Sequence, residues 1–477
     1  MTRSSRTYAL GALASAALLL GLTGCSDDPG DEGERRAIPQ VTAETEAAPP
    51  TPPPDLVVRV LDGDTSKPVP RARVVVAGEN ARTTRTGVAR VAGSRGKRAL
   101  SIRVSAKGYA PRTVRVDLRD RRAPRIRIWR PALQWPLYGA NAARTQAHSS
   151  IRAKPPFRRV WSRHLHGFME FPAVVWEGVA YVHTMRGWLR AISMETGRVL
   201  WKKRVGSLMA SSPAVDPQRG VVVSTSMSPG DVTVSSMATG RVRWRFSSGT
   251  AEPSPVIRGG VAYFGGTNGN VYALDLDRRR PRWIYRGGVK ITSSPALVGN
   301  RLYFGDYAGR VFALDARTGR VIWRGSAGTK VYGTVAVAGG RVFAPSVGSG
   351  LSALSARTGR LLWRIPTGSY LYSSPAVYRG RVYFGTHGGS VYAASVSSGR
   401  VLWSRPAGGR VSGAVQVVAG LVYAANLEGG IRAWNWRTGR QVWSFPQGAY
   451  VPISGSGRRL LLHGRQQIWA VEPRRRR

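Results

Sequence analysis

From residue 157 to the C-terminus, the chain repeats one pattern of hydrophobic and polar positions. Each unit holds four short apolar or alternating runs separated by glycine-containing turns, as in residues 373–403. Eight tryptophans mark the repeat at spacings of 40, 43, 39, 40, 40, 40 and 40 residues: Trp161, Trp201, Trp244, Trp283, Trp323, Trp363, Trp403 and Trp443. Four strands in about 40 residues are the size of one β-propeller blade. The period therefore predicts an all-β propeller, with the tryptophans packed between neighbouring blades.

The ends of the repeat indicate how the ring closes. Eight tryptophans bound seven full units, and an eighth unit after Trp443 lacks a tryptophan strand of its own. The run 157–161 precedes the first unit and has the sequence of that missing strand. Pairing it with the last unit would leave no long open sheet edge. We therefore predict an eight-bladed β-propeller over residues 134–472.

The repeats also resemble a known family. The runs 271–275, 311–323 and 351–363 resemble the PQQ-like (pyrroloquinoline quinone) propeller repeat, and the lead-in from Trp135 to Thr145 resembles the start of that family. The family contains quinoprotein dehydrogenases and non-enzymatic scaffolds, so the resemblance implies the fold and leaves the chemistry open. Among the scaffolds, the chain resembles the BamB-type lipoprotein of the β-barrel assembly machinery.

Residues 55–130 predict a smaller domain before the propeller. Five strand-like runs, separated by turn clusters, are typical of a β-sandwich: 56–61, 72–77, 88–91, 99–105 and 113–118. The order of motifs at 68–74, 84–87 and 107–109 resembles the carboxypeptidase regulatory-like domain. That resemblance implies a transthyretin-like sandwich acting as a spacer or adhesion module, without catalysis.

The N-terminus predicts export. Residues 1–24 combine a basic start, a short apolar run and small residues, as in a signal peptide. The Leu-Thr-Gly-Cys sequence ending at Cys25 resembles the bacterial lipobox, which implies cleavage and acylation (palmitate among the lipids) at Cys25. The alternative is an ordinary secretory signal with an incidental cysteine. Residues 25–54 are acidic and then Pro-rich, which predicts a disordered tether. We expect a lipid-anchored protein on the extracytoplasmic side of a bacterial membrane.

The charge balance is strongly basic. The chain carries 72 Lys and Arg against 25 Asp and Glu, a net +47; residues 55–477 carry 68 against 18, a net +50. Such a surface attracts polyanions, but an exported protein is not expected to bind nucleic acid. The single cysteine excludes an intrachain disulfide and a cysteine-based metal site. Residues 473–477 are predicted to be a solvated basic tail.

Thr-Gly pairs precede most outer strands. Glycine there supplies the positive φ that a tight hairpin turn needs. Unit three has Arg278-Arg279 instead, so its turn is either strained or of another type. An arginine follows each turn glycine and forms a rim that is either merely solvated or attracts anionic polymers and headgroups: Arg198, Arg241, Arg320, Arg360, Arg400 and Arg440.

The variable loops between units predict a binding site at one mouth of the channel, because loops on a rigid scaffold commonly carry binding residues. Aligned units place cations and aromatics in two columns. The predicted ligand-binding residues are Lys290, Lys330, Tyr332, Tyr370, Tyr372, Arg410 and Tyr450. Cations beside aromatics suit an anionic or extended ligand, such as a protein segment or an envelope polymer.

The enzyme hypothesis is a quinoprotein dehydrogenase with PQQ and Ca²⁺ in the channel. Such enzymes typically carry an adjacent cysteine pair, which this chain lacks, and long blade insertions, which the regular spacing leaves no room for. Calcium prefers several oxygen ligands, and the acids near the mouth come from different units: Glu170, Glu252, Asp306 and Glu428. We therefore expect a binding scaffold with no catalytic residue, no metal and no cofactor.

Overall fold

A computed structural model describes residues 44–46 (as backbone), 56–91, 99–117 and 123–474. The predicted signal peptide, the Cys25 lipidation site, most of the tether and the last three residues lie outside this range. The regular elements of the described residues are strands and one short 3-10 turn, η1 (Pro131–Leu133), joined by turns and loops. Among them, no helix has the length and apolar character needed to cross a membrane. The predicted all-β class is confirmed.

Two four-stranded sheets precede η1. Their orders are β1-β8-β2-β5 and β4-β3-β6-β7. The strands are β1 (Glu44–Glu46), β2 (Leu56–Asp62), β3 (Arg73–Val76), β4 (Glu79–Arg82), β5 (Val88–Val91), β6 (Ala99–Ser105), β7 (Arg112–Asp117) and β8 (Ala123–Ile128). Alternate residues of β2 and β6 point inward, because successive side chains of a strand face opposite sides. Val58, Val74, Ile102 and Ile126 from both sheets are fully buried in one shared core.

Eight further sheets follow in chain order within residues 147–473. Two early strands, β9 (Ala147–His148) and β10 (Phe157–His164), join sheets 7 and 8. Sheet 1 contains β11 (Val174–Trp176), β12 (Val179–His183), β13 (Trp188–Ser193) and β14 (Val199–Arg204); sheet 2, β15 (Ala214–Asp216), β16 (Val221–Thr225), β17 (Asp231–Ser236) and β18 (Val242–Ser247); sheet 3, β19 (Val256–Arg258), β20 (Val261–Gly265), β21 (Asn270–Asp275) and β22 (Arg280–Arg286); sheet 4, β23 (Ala296–Val298), β24 (Arg301–Gly305), β25 (Arg310–Asp315) and β26 (Val321–Ser326). Sheet 5 contains β27 (Ala336–Ala338), β28 (Arg341–Ser346), β29 (Gly350–Ser355) and β30 (Leu361–Ile365); sheet 6, β31 (Ala376–Tyr378), β32 (Arg381–Gly385), β33 (Ser390–Ser395) and β34 (Val401–Pro406); sheet 7, β35 (Gln416–Val418), β36 (Leu421–Asn426), β37 (Gly430–Asn435) and β38 (Gln441–Phe445); sheet 8, β39 (Ile453–Ser456), β40 (Arg459–His463) and β41 (Gln467–Pro473).

The four strands of each sheet differ in burial according to their place. The second strand is almost wholly buried, as in β12 and β20, because both faces of the sheet are covered by neighbouring sheets. The fourth strand alternates, with its tryptophan turned inward and its neighbours towards solvent, as in β14 and β26. Because consecutive strands are antiparallel, the turns between strands 1–2 and 3–4 lie at one end of a sheet. The 2–3 turn and the link to the next sheet lie at the other end.

Sheet 8 takes its outer strand from the start of the repeat region. β10 pairs antiparallel with β41, from Phe157 opposite Pro473 to His164 opposite Gln467. The strand order of the sheet is β10-β41-β40-β39. The first strand of the repeat region therefore joins its last sheet by a full ladder of main-chain hydrogen bonds.

Six of the eight repeated tryptophan rings lie against the turn glycine of a following unit, those of Trp161, Trp201, Trp283, Trp323, Trp363 and Trp403. A Cβ on Gly359 would lie 2.5 Å from the Trp323 ring, so only glycine fits beneath it. Six indole N–H groups also donate to main-chain carbonyl oxygens at 2.9–3.3 Å, those of Trp161, Trp201, Trp283, Trp323, Trp363 and Trp403. In unit three, Arg279 adopts φ 59° and donates its N–H to the Asp275 carbonyl, as Gly319 does to Asp315. The turn is therefore the same type, and it is strained.

The lead-in segment 135–148 runs along the inner strands of successive sheets. Its carbonyls accept main-chain N–H groups from sheets 1, 2, 4, 5, 6 and 7, donated by Val175, Val215, Leu297, Val337, Val377 and Val417. Arg144 is fully buried within it, and its guanidinium donates to the carbonyls of Tyr138, Ser254 and Pro295. One arginine thus holds this segment to the loops before sheets 3 and 4.

The smaller two-sheet domain docks on the 1–2 turns of sheets 1 and 8. Trp129 is 5 % exposed, and a Cβ on Gly63 or Gly178 would lie 2.1 or 3.0 Å from its ring. The Gly457 N–H donates to the Leu133 carbonyl at 3.2 Å. The domain therefore sits at the end opposite the predicted binding mouth.

Candidate functional site

Two sets of loops meet at the end of the sheets opposite the small domain. The carbonyls of four predicted residues, Lys290, Lys330, Tyr370 and Arg410, each accept an N–H from the 2–3 turn of the sheet that follows them. Tyr307 donates to Lys290 at 3.0 Å, Val347 to Lys330 at 2.9 Å, His387 to Tyr370 at 3.0 Å and Leu427 to Arg410 at 2.9 Å. The four residues therefore occupy equivalent positions at one end, held by main-chain bonds. We use "mouth" for this loop surface.

Four tyrosines from sheets 4, 5 and 6 form a continuous aromatic arc. The ring centroids of Tyr307 and Tyr332 are 6.3 Å apart, those of Tyr332 and Tyr372 5.4 Å, and those of Tyr370 and Tyr372 6.1 Å. The rings of His387 and Tyr372 have centroids 4.6 Å apart and are tilted by 47°. Tyr370 is 53 % exposed at the outer end of this tyrosine arc. Aromatic contacts of this kind fix ring orientation before any ligand arrives.

The two predicted lysines lie over the same ring. Lys290 Nζ is 5.0 Å and Lys330 Nζ 4.7 Å from the centroid of Tyr307. The pKa of the Tyr307 hydroxyl is raised, mainly by burial and next by the nearby Glu252 charge. A neutral tyrosine between two ammonium groups attracts both through its ring face. Tyr307 was not among the predicted ligand-binding residues; it comes from the 2–3 turn of sheet 4.

Two carboxylates near the arc, Glu252 and Glu170, influence each other's ionisation. Glu252 accepts a hydrogen bond from the Tyr332 hydroxyl at 3.3 Å and lies 3.9 Å from Lys290 Nζ. Burial raises the pKa of Glu252, and Lys290 and Tyr332 partly offset the rise. Burial and the Glu252 charge raise the pKa of Glu170 to about 8. Glu170 is therefore mostly protonated at neutral pH and can donate a hydrogen bond to a ligand.

Arg410 and Tyr450 contact residues outside the tyrosine arc, elsewhere along the mouth. Arg410 Nε donates to Glu428 at 2.9 Å, and Tyr450 packs edge-on against Phe168 at 5.4 Å. Burial opposes ionisation of Glu428, but the side-chain hydrogen bond from Arg410, main-chain hydrogen bonds and the Arg410 charge together outweigh it and lower the pKa. The structure thus joins five of the seven predicted residues to one cluster and gives Arg410 and Tyr450 neighbours of their own. The sequence did not predict which of the three cations would face carboxylates.

The acids near the mouth do not suit a calcium–quinone site. Asp306 is bound by Arg310 at 2.7 Å, Glu428 by Arg410, and Glu252 faces Lys290. Calcium needs several oxygen ligands around one point. Over the described ranges, no group of three or more His, Cys, Asp or Glu side chains is placed to hold a metal ion. The residues at the mouth therefore do not fit a calcium–quinone group.

Comparison with known proteins identifies the family. The family described as "Outer membrane protein assembly factor BamB" matches residues 147–288 and 282–476. The chain belongs to this family. The match begins at β9 and covers all eight repeat sheets, so the family membership rests on the repeat region and supports a PQQ-like β-propeller.

Solved structures with this fold include both a BamB protein and an alcohol dehydrogenase. BamB from Moraxella catarrhalis aligns with a TM-score of 0.57 at 18 % identity, covering 66 % of this chain and 99 % of that one. Quinohemoprotein alcohol dehydrogenase from Comamonas testosteroni aligns with a TM-score of 0.63 at 14 % identity, covering 72 % and 81 %. At these identities the likeness shows the fold alone.

One curated relative matches a short segment. The lanthanide-dependent methanol dehydrogenase of Methylacidiphilum fumariolicum (strain SolV) is 39 % identical over 57 residues, 12 % of this chain. The chain spans 9 % of that protein's length in the match. This segment corresponds to little more than one repeat unit.

Proposed function

We propose that this chain is a non-enzymatic, membrane-anchored envelope lipoprotein whose eight sheets are the blades of one closed propeller. In this proposal the small domain is a transthyretin-like spacer, and the mouth binds a segment of a protein partner. The observation that carries the proposal is the tyrosine arc, a preformed aromatic surface beside charged residues. The family description, an assembly factor for outer membrane proteins, supports a protein partner.

The chemistry of the arc suits an extended polypeptide. Tyrosine rings contribute large contact areas at a small entropic cost, and buried aromatic anchors dominate protein interfaces. Lys330 and the protonated Glu170 supply donors for main-chain carbonyls or carboxylates of such a segment. An anionic envelope polymer is the second ligand class that the basic composition favours.

Photocrosslinking in the producing cells tests the partner. A photoreactive phenylalanine derivative at Tyr370 should form a protein adduct, whereas the same group at Tyr378, at the other end of sheet 6, should not. Replacing Tyr332 by Ala should reduce the adduct about tenfold, the effect of losing an anchor worth about 1.4 kcal/mol. Equal adducts at Tyr370 and Tyr378, or none at either, would contradict a partner at the mouth.

A quinoprotein dehydrogenase is the second candidate, favoured by the segment shared with the methanol dehydrogenase. Calorimetric titration of the purified protein with PQQ and Ca²⁺ separates the two functions. The scaffold proposal expects no Ca²⁺-dependent heat of PQQ binding. Tight, Ca²⁺-dependent binding that is lost in Glu252→Gln would replace it with the enzyme hypothesis.

A further inference from the structure

A cluster of arginines surrounds one buried carboxylate at the end of the repeat region opposite the mouth. Glu472 on β41 is 2 % exposed. Arg459 donates to its Oε1 through Nε at 2.9 Å and Nη2 at 2.6 Å. Arg158 Nη2 and Arg458 Nη2 lie 2.9 and 3.2 Å from Oε2. A single carboxylate thus holds three guanidinium groups in place.

The closing strand pair builds this cluster. Arg158 lies directly opposite Glu472 in the β10–β41 ladder. Arg458 and Arg459 come from the hairpin between β39 and β40. The Arg474 N–H donates to the Pro156 carbonyl at 2.8 Å, which fixes the end of β41 beside them. We use "arginine seam" for Arg158, Arg458, Arg459 and Arg474.

The arginine seam has more positive charge than its carboxylate can neutralise. Four guanidinium groups against one carboxylate leave a net +3. The two oxygens of Glu472 are already occupied, so most N–H groups of Arg158 (side chain 55 % exposed) and Arg458 (43 % exposed) remain available. These side chains and Arg474 line an open cleft of about 540 Å³. Planar guanidinium groups bind phosphate oxygens in pairs.

The surroundings of the seam are also basic. The exposed rim arginines follow the 3–4 turns at this end of the sheets, Arg198 and Arg440 on the two neighbouring sheets. The small domain docks beside the seam, where a Cβ on Gly457 would lie 2.4 Å from Asp64. In the sequence, the predicted lipid anchor and tether precede that domain.

We propose that the arginine seam is a phosphate-binding site, occupied by the phosphate of a lipid headgroup or of a soluble phosphate polymer. Glu472 preorganises the guanidinium groups, and the open cleft admits the ligand. When the phosphate belongs to a lipid headgroup, the mouth faces away from the membrane surface. The site does not depend on the function proposed for the mouth, because the two lie at opposite ends of the sheets.

Equilibrium binding of the purified protein tests the site with two probes. One is a vesicle of phosphatidylglycerol and phosphatidylcholine in equal parts, with pure phosphatidylcholine as its reference; the other is inorganic polyphosphate. The double variant Arg458→Gln/Arg474→Gln removes two donors and leaves the Arg459 pairing with Glu472 intact. We expect its affinity for the anionic probe to fall about tenfold or more, because charge-assisted paired hydrogen bonds are lost.

A matched variant distinguishes a site from diffuse charge. Arg320→Gln/Arg360→Gln removes two exposed rim arginines on sheets 4 and 5, at the same end but away from the seam. Its affinity should change less than about twofold, as expected for distant surface charges screened by salt.

The two probes distinguish the sources of the phosphate. Binding of vesicles alone identifies the lipid headgroup, and binding of polyphosphate alone identifies a soluble source; either result supports the site. Equal losses in the two double variants, or no binding of either probe by the folded wild-type protein, would overturn it. Tyr332→Ala should leave both affinities unchanged, which keeps this test separate from that of the mouth.

Discussion

The hydroxyl of Tyr332 donates to Glu252 at 3.3 Å, although 80 residues separate them. The bond joins the loop before sheet 5 to the loop before sheet 3, so it spans the loop of the sheet between them. Lys290 from that intervening loop reaches the same carboxylate at 3.9 Å. Three neighbouring loops are therefore fixed to one another at the mouth, and the tyrosine arc is held rigid.

The Glu170 carboxyl should make the stability of the protein depend on pH. Its pKa is about 8 in the folded state, raised by burial and Glu252 from an ordinary value of 4.5. Between these values the folded state keeps a proton that the unfolded state has released, so stability falls as the pH rises through this interval. Glu170→Gln should remove this loss and stabilise the protein by about 1–2 kcal/mol at the alkaline end. Thermal unfolding at a series of pH values measures it. An exposed control, Glu79→Gln, should leave the pH dependence unchanged.

The contact between Trp323 and Gly359 predicts a large cost for one added methyl group. Gly359→Ala places a Cβ 2.5 Å from the ring at φ +77°. Gly380→Ala has almost the same backbone, φ +76°, but meets nothing within 4 Å. We expect Gly380→Ala to cost about 1 kcal/mol and Gly359→Ala about 3 kcal/mol, because the ring must also move. The shift of the denaturation midpoint gives both values, and equal shifts would contradict the role of the ring.

The turn at Arg279 offers a stabilising substitution. Arg279 is exposed and adopts φ 59°, where the other units have glycine. Arg279→Gly should relieve left-handed strain of about 1–2 kcal/mol and lose part of that gain to unfolded-state entropy. We expect a net gain of about 0.5–1 kcal/mol in the same denaturation assay. A lower stability would mean that the arginine makes a compensating contact.

The buried guanidinium of Arg144 predicts severe destabilisation on its removal. Arg144→Ala leaves the carbonyls of Tyr138, Ser254 and Pro295 without these donors. Each buried, unsatisfied acceptor costs about 1–3 kcal/mol, so a total loss of about 3 kcal/mol or more is expected. Arg152→Ala, an exposed position a few residues on, should be neutral. Denaturation of the two variants side by side measures the difference.

The sequence by itself determined the repeat. A tryptophan about every 40 residues, four apolar runs and turn glycines specify local hairpins, since each depends on residues close together in the chain. The same alignment located the equivalent loop positions, including Lys290, Lys330 and Tyr370, because equal spacing places equivalent residues at the same end of each sheet. It also marked unit three as the exception, where the strained alternative holds at Arg279.

Only the tertiary structure decided which charges meet. Glu252 faces Lys290 and Tyr332, and Arg158 pairs with Glu472 over 314 residues. Arg144 finds its carbonyl partners 110 and 151 residues away. No local pattern encodes such pairs, because they arise when loops from different sheets converge around one axis. Their electrostatics depend on burial and distance, and both of these quantities exist only once the sheets are assembled.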